Sequence, residues 1–524
     1  MQIVIDRGVV TPPPVRTRPD WLGRVALLVL GVVTVLSVVR AFGPLTYAGD
    51  IWRQSDTASM ARNYAEHGLN LFLPQINWGG AGPGYVESEL PIMPWLTGVL
   101  YTLFGEHEVF GRLVSLAFML LATWAFWGLA KRILPPTAAR WALIAWAVSP
   151  AFMRWGTAFM PEATVLAFTL LALLAFCRWL QEDRARWLVA TTAAISLAGL
   201  AKPTSLHVGL VMALWLLIGA RQRLRRPTLY LAGLASLVLP VLWMRYAAGL
   251  HETYGNTFGV LSGGDSKFAT WAMLTSPELY LGNLRTETLF VYGVVGLPFA
   301  LLGAAWLWRH RRGAVAAPFL LAGTIGLAFY YLLLGRYTGS DLGIQYHVYS
   351  LPYAAIAVGI GVVGAQRLLR RRVLGGAARS SRALFGLLGV LTVLALGAQS
   401  VNVLRQSFDP GAGVLGTCAT QLAAVSTPED LVVVGTDSTT TMDGVANNFQ
   451  EPVVLYRADR YGWVLAADQY TPQDLETDRA QGARWFVNPV PSQIGPLSGW
   501  LSDNAQQVGS AATTGCDVWR LLPS

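Results

Sequence analysis

Pro91-Ile-Met-Pro-Trp-Leu-Thr-Gly-Val-Leu-Tyr-Thr-Leu-Phe104 is largely apolar yet only 14 residues long. A helix needs roughly 20 residues to cross a bilayer. How this stretch is read decides the topology. Counted as a span, it inverts every later loop and carries the basic clusters to the outer side, against the positive-inside bias. Read as a helix lying on or dipping into the outer face, it leaves eleven apolar segments. They fall at about 22–42, 109–131, 138–153, 158–180, 187–201, 204–220, 228–247, 287–308, 314–334, 346–366 and 383–403, with boundaries good to a few residues. Basic clusters then follow alternate spans: Arg16/Arg18/Arg24, Lys131-Arg132 with Arg140, Arg178/Arg184/Arg186, Arg221 to Arg226, Arg309 to Arg312, and Arg367 to Arg372. All of them lie inside if the N-terminus is inside and the C-terminus outside.

Composition agrees. The chain has 524 residues, 53% hydrophobic and 13% charged, against about 25% charged in soluble domains. The fold expected is a polytopic α-helical membrane protein with a small C-terminal α/β domain. The formal charge of +9 does not signal nucleic acid, because the basic residues sit in the short inner turns. The start to Asp20 is polar and Pro/Arg-rich, and is expected to be a cytoplasmic tail before an uncleaved anchor.

The expected division is a transmembrane domain over 1–403 and an extracytoplasmic domain over 404–524. In the latter, Asp430-Leu-Val-Val-Val-Gly, Pro452-Val-Val-Leu-Tyr, Arg484-Trp-Phe-Val and Cys516-Asp-Val-Trp-Arg-Leu-Leu predict buried strands. Stretches at about 413–426 and 472–481 predict helices between them. Cys418 and Cys516, near opposite ends of this domain, are a disulfide candidate in an oxidising compartment. Cys177 lies in an apolar run and is expected to be packing.

The outer loops hold the charges that packing does not explain. In Asp50-Ile-Trp-Arg53-Gln-Ser-Asp56, a helix would place Arg53 and Asp56 on one face. Arg62 would lie on another side. Glu87 and Glu89 precede Pro91. Glu162 opens a span whose next turns are apolar, where an ionisable group is a functional candidate. It also suits a helix first turn. Lys202 is the lone base of the short turn Ala201-Lys202-Pro203-Thr204; a bound anion or snorkelling accounts for it. Arg336-Tyr337 and Gln345-Tyr346-His347-Val-Tyr349 flank a later outer loop, although a lone histidine is more often structural.

Two motifs mislead. Gly359-Ile-Gly361-Val-Val-Gly364 matches a dinucleotide-binding pattern but lies within a span, where small residues pack helices. The His and Cys residues show no zinc-ligand spacing, and the sequence has no HExxH or P-loop, which argues against an ATP-driven pump.

Taken together, these features resemble the GT-C membrane glycosyltransferases, most closely the bacterial relatives of protein O-mannosyltransferases and of the lipid A aminoarabinose transferase. The resemblance rests on the acidic first outer loop (Trp52-Arg-Gln-Ser-Asp56 to Ala61-Arg62), Gly82-Pro-Gly-Tyr-Val-Glu87-Ser-Glu89-Leu-Pro91, Glu162 at the head of a later span, and Arg457-Ala-Asp-Arg-Tyr-Gly-Trp463 in the outer domain. It implies a polyprenyl-phosphate sugar donor, a glycan, lipid or protein acceptor on the outer side, and inversion at the anomeric carbon. It places the protein in the bacterial cytoplasmic membrane. The family's first-loop motif begins Asp-Glu; here Arg53-Gln54 stands at that position, so the acid is Asp56 or Asp50. Glu89 and Glu162 match the family's other acidic positions.

The implied roles are catalysis for Asp56, Asp50, Glu89 and Glu162, and substrate or phosphate binding for Arg53, Arg62, Lys202, Arg336, Tyr346 and His347. No cofactor is firmly indicated. A divalent metal stays open, with Glu89 and His347 as its candidate ligands. A lipid-linked sugar flippase and a non-catalytic scaffold for envelope polymers are the competing classes. A flippase should show paired halves and mid-membrane charges, whereas here the charges gather at one interface.

Overall fold

The computed structural model describes residues 20–45, 51–260, 267–309, 315–373, 380–406, 413–442, 444–510 and 514–523. Asp50 lies outside the described residues.

The chain begins with α1 (Trp21–Ala41), then α2 (Ile51–His67), the short strand β1 (Val86–Glu87) and α3 (Ile92–Phe104). Helices α4 (Glu108–Ile133), α5 (Pro136–Val148), α6 (Pro150–Gly156), α7 (Glu162–Glu182) and α8 (Ala185–Ala201) follow. A tight turn at Pro203–Leu206 leads into α9 (His207–Gly219), α10 (Pro227–Tyr254) and β2 (Asn256–Thr257). Next come α11 (Trp271–Thr275), α12 (Pro277–Thr286), a π-helical turn at Glu287–Tyr292, and α13 (Gly296–Arg309). The membrane part ends with α14 (Ala316–Leu333), α15 (Gly335–Thr338), α16 (Leu351–Val373) and α17 (Ser380–Gln406).

Seven helices among the described residues are long and apolar enough to cross a membrane. The pair Pro277–Tyr292 and Gly296–Arg309 passes jointly but bends by 98°. Helices α8 and α9 are shorter, and the segment expected at 138–153 is divided at Ser149-Pro150 into α5 and α6. Ser149 caps α6, its hydroxyl accepting from the Ala151 amide. The stretch at 91–104 forms the 13-residue α3, roughly 20 Å long at 1.5 Å per residue. That is short of the hydrocarbon thickness.

Contacts sort the connections into two ends. At one end, Asp20 pairs with Arg140, Glu182 with Arg132, and Asp183 with Arg223 and Arg226. At the other, the Phe159 amide donates to Gln54, Leu90 to the Leu200 carbonyl and Phe258 to the Glu87 carbonyl. Arg336 donates to the Met442 carbonyl at that same end. The chain passes repeatedly from one set to the other, through seven helices of spanning length, or eight if the bent pair is one span, among the described residues. The protein is therefore a multi-pass membrane protein.

Inside the bundle, Phe126 stacks on Trp146 with ring centres 4.5 Å apart. Gly359 and Gly361 do what small residues in a span do. A Cβ at Gly359 would meet Ala138 and Ala142 of α5, and one at Gly361 would lie 1.8 Å from the Phe299 carbonyl of α13. Cys177 is buried and free.

Beyond α17 stand α18 (Gly413–Val425), β3 (Leu431–Gly435), β4 (Thr441–Met442), β5 (Val445–Ala446), α19 (Pro452–Ala458) and β6 (Tyr461–Leu465). Then come α20 (Pro472–Ala480), β7 (Ala483–Asn488), α21 (Ser498–Asn504), β8 (Ala505–Gly509) and β9 (Asp517–Leu521). The five-stranded sheet has the order β6-β3-β7-β9-β8. Strands β6, β3 and β7 run parallel, and β9 is antiparallel to its neighbours. Three of the four expected strands are present. The fourth, Pro452-Val-Val-Leu-Tyr, is instead helix α19. Proline at its first turn and the Glu451 carboxylate, which accepts from the Val453 amide at 3.0 Å, start a helix there. Cys418 and Cys516 are bonded, their Cα atoms 5.5 Å apart.

Candidate active site

Helix α2 carries the site because α3 lies directly on it. A Cβ at Gly98 would come within 2.6 Å of the Tyr64 Cβ and 3.0 Å of the Ala61 carbonyl, so only glycine allows this approach. The chain between the two helices folds back on itself, with the Ile76 amide donating to the Gly84 carbonyl at 2.9 Å. Gly84 has φ of +68°, and a Cβ there would lie 2.3 Å from the Ile76 carbonyl. This turn brings Trp78 beneath α2. Pairing of β1 with β2 places Phe258 against Arg53, whose guanidinium lies 4.4 Å from the ring centre.

Five ionisable groups from four separate parts of the sequence then meet. Arg53 donates to Glu89 at 2.7 Å, and Lys202 donates to Glu162 at 2.5 Å. Arg53 feels the charges of Glu89, Asp56 and Glu162, and Lys202 those of Glu162 and Glu89. The Lys202 ammonium also lies 4.8 Å from the centre of the Tyr346 ring. Burial would raise Glu89, but Arg53 and then Lys202 more than offset it and hold its carboxyl below the usual range. Only one of the five N–H groups of Arg53 is engaged with a described residue.

Asp56 is fully buried. One carboxylate oxygen accepts from the Trp78 indole at 2.8 Å, and the other has no partner. Burial pushes its pKa up to about 7, although Arg53 and the Trp78 bond pull the other way. Glu162 is also buried and has one unpartnered oxygen.

A small cavity opens beside this cluster. Arg53, Thr57 and Glu89 supply its polar wall, and Ile92, Pro94 and Pro161 are among its apolar lining. Asp56, Glu162 and Lys202 do not line it. The residues next to them, Thr57, Pro161 and Ala201, do.

Three residues expected to bind phosphate are committed elsewhere. Arg62 donates to Glu106 at 2.7 Å and to Asp459 at 2.8 Å, and stacks on Tyr456. It joins α2 to the C-terminal domain, on the side of the helix away from Arg53. Arg336 donates to the Met442 carbonyl at 3.2 Å. His347 has Nδ1 on Glu287 at 2.8 Å and Nε2 on the Thr338 carbonyl at 3.0 Å. Both ring nitrogens of His347 are thus engaged, and Glu89 is paired with Arg53. No group of three or more His, Cys, Asp or Glu is placed to hold a metal among the described residues.

Sequence reasoning missed Trp78, Phe258 and Glu287. Glu287 was legible as a carboxylate at the mouth of a span. It accepts from Tyr331, His347 and Ser350 at the 98° bend.

Residues 88–244 match the family model of dolichyl-phosphate-mannose-protein mannosyltransferases. No curated protein matches the chain in sequence. Several solved structures match along nearly its whole length. ArnT from Cupriavidus metallidurans, bound to undecaprenyl phosphate, aligns with a TM-score of 0.61 at 16% identity, over 95% of this chain and 98% of that one. The archaeal oligosaccharyltransferase AglB from Archaeoglobus fulgidus, in complex with an inhibitory peptide and a dolichol-phosphate, gives 0.56 at 14%, over 96% and 75%. The mycobacterial arabinofuranosyltransferase AftD gives 0.53 at 15%, over 96% of this chain and 42% of that one. At such identities the likeness is one of architecture: the chain has the fold of the GT-C membrane glycosyltransferases.

Proposed function

We propose that the chain is an inverting glycosyltransferase that moves a sugar from a polyprenyl-phosphate donor to an acceptor hydroxyl, on the outer face of a bacterial cytoplasmic membrane. Residues 1–403 would be the transferase unit and 404–524 an extracytoplasmic domain. The observation that carries this reading is the cavity at Arg53. Uncommitted guanidinium donors meet apolar walls there, beside a helix too short to span. An anion on an apolar chain suits such a place.

In the reaction proposed, the acceptor hydroxyl gives its proton to the free oxygen of Asp56 as its oxygen bonds to the anomeric carbon. The bond from that carbon to the phosphate oxygen breaks, and its electron pair leaves with the polyprenyl phosphate. Arg53 and Lys202 offset the developing charge. One displacement inverts the sugar. Glu89 and Glu162 hold the two cations in place.

The test pairs two measurements on the full-length protein. One is affinity for undecaprenyl phosphate in lipid nanodiscs. The other is mass spectrometry of envelope glycans from a deletion strain complemented with each variant. Asp56→Asn should lose the glycan, by the roughly 10²–10⁴-fold typical of removing a general base, and keep lipid affinity. Arg53→Ala and Lys202→Ala should weaken the lipid about tenfold or more. A glycan restored by Asp56→Asn but not by Asp50→Asn moves the base to Asp50. A deletion that leaves envelope glycans unchanged overturns the transferase reading and favours a flippase or scaffold.

A further inference from the structure

The end of the bundle away from the cavity holds charges that the site does not use. Two turns lie side by side there, one between α7 and α8 and one between α9 and α10. Segments 178–186 and 221–226 carry seven arginines and only two acids, Glu182 and Asp183. Both acids are already engaged. Asp183 accepts from Arg223 and Arg226. Glu182 accepts from the Trp187 indole at 2.7 Å and pairs with Arg132 at 3.4 Å and Arg186 at 3.8 Å.

Rings hold three of the arginines without neutralising them. The Arg178 and Arg186 guanidiniums lie 4.3 and 4.9 Å from the centre of the Trp187 ring, and Arg223 lies 5.3 Å from that of Trp179. A ring attracts a cation through its quadrupole but brings no charge. The Nε of Arg178 is buried without a partner. Arg184, Arg221 and Arg225 are exposed, and none of them forms an ion pair among the described residues. Pairing of Asp183 with Arg226 brings their chain neighbours Arg184 and Arg225 together. The positive-inside rule asks only for an excess of cations. Here the excess is gathered on one pair of turns, whereas Arg140, by α1, has its own carboxylate in Asp20.

Apolar surface begins where these cations end. Val189 on α8, and Tyr230, Leu231 and Leu234 on α10, are all exposed, about one to two turns further along their helices. Guanidiniums at the foot of an apolar wall match a phosphate headgroup carried on acyl chains.

We propose that this rim binds an anionic phospholipid of the leaflet at that end. Arg184, Arg221 and Arg225 hold its phosphate, and its acyl chains lie along α8 and α10. The inference stands apart from the transferase reading.

The probes are cardiolipin, phosphatidylglycerol and phosphatidylcholine, each titrated against the full-length protein in detergent micelles, with bound lipid counted by native mass spectrometry. The parent should take up the two anionic lipids roughly tenfold or more tightly than phosphatidylcholine. Arg184→Gln, Arg221→Gln and Arg225→Gln combined should abolish that preference. Arg178, Arg186, Arg223 and Arg226 remain in this variant, so the positive excess and the pairings of Asp183 persist. Arg285→Gln, which removes an exposed arginine from α12, should keep the preference. The assignment is overturned if the parent takes up all three lipids alike, or if the triple variant discriminates as the parent does. Inorganic pyrophosphate binding more tightly than either anionic lipid would also overturn it, by giving the rim to a soluble anion.

Discussion

The two ends of the helical bundle use the same charged residue types in opposite ways. At the end bearing α2, Lys202 and Glu162 are paired with side chains only 11% and 2% exposed, and Arg53 and Glu89 are nearly as enclosed. At the other end, Arg226 and Asp183 pair with side chains 43% and 41% exposed. A charge out of water keeps its ionised form only where the surroundings repay desolvation, so the enclosed pairs form a preset field for a ligand. The exposed pairs are screened by solvent and contribute little to stability. A positive excess of this kind is what the positive-inside rule counts.

The comparison breaks most visibly if the ends are not on opposite sides of the membrane. Thr471→Cys, in the outer domain, should react with an impermeant maleimide in intact cells. Arg184→Cys, between α7 and α8, should react only after permeabilisation. The native cysteines leave a low background, because Cys177 is buried and the other two are bonded. Equal labelling of both positions in intact cells overturns the orientation.

Next in size is the disulfide, which lies in the C-terminal domain. Cys418 and Cys516 are 98 residues apart, and closing a loop of that length is worth about 4–5 kcal/mol in the chain-entropy model. Cys418→Ser with Cys516→Ser should lower the C-terminal domain's unfolding free energy by about that amount, and with it the denaturant midpoint, while helices at the far end of the bundle unfold as before. An unchanged midpoint would show that contacts such as Arg62 with Asp459 hold the domain without the bond.

The sequence made the frame of this molecule legible and left its pairings hidden. The multi-pass character, the half-length helix and the packing role of Gly359 and Gly361 follow from local length and composition, whereas the eleven expected segments include several that form helices too short to count as spans, among seven or eight that do. So do the strands at 431–435 and 483–488. Helix α19 was misread because Pro452-Val-Val-Leu-Tyr has strand composition, while its helix signal rests on one proline and one capping carboxylate. Within the site, Arg53, Asp56, Glu89, Glu162 and Lys202 were identifiable as charges out of place. Which cation serves the cavity was not, because Arg62 differs from Arg53 only in what lies opposite. Its partners Glu106 and Asp459 are brought there by tertiary folding. Trp78 was invisible for the same reason: a glycine turn at Gly84 sets its position under Asp56.

A pH profile sharpens the contrast between ends. Burial raises Asp56 to about 7, so below that pH it holds a proton and cannot accept another. Transfer measured at saturating donor should fall about tenfold per pH unit below 7 and level off above it. Stability moves in the opposite direction. Between about pH 4 and 7 native Asp56 keeps a proton that the unfolded chain, with an ordinary carboxyl, has released. Rising pH through that window therefore weakens the fold at this site, and the Asp56→Asn variant should lose that part of the dependence. A rate already level at pH 5 would remove Asp56 as the base.

The smallest expected effect belongs to the inner end. Asp183 sits in a left-handed backbone conformation at φ of 55°, closing α7, where it accepts from Arg223 and Arg226. Asparagine tolerates that conformation as well as aspartate does, so Asp183→Asn removes the charge and leaves the turn. Arg226, its side chain 43% exposed, and the more enclosed Arg223 lose a partner that water can replace. The melting temperature and the envelope glycan should match the parent within error, and labelling at Thr471→Cys should keep its sidedness because the inner positive excess has grown. The same change of charge at Glu162, to glutamine, leaves Lys202 without its anion in an enclosed site and should weaken or misplace the donor. If Asp183→Asn proves the more damaging of the two, enclosure is not what separates the ends, and the chemistry assigned to the outer cluster loses its physical basis.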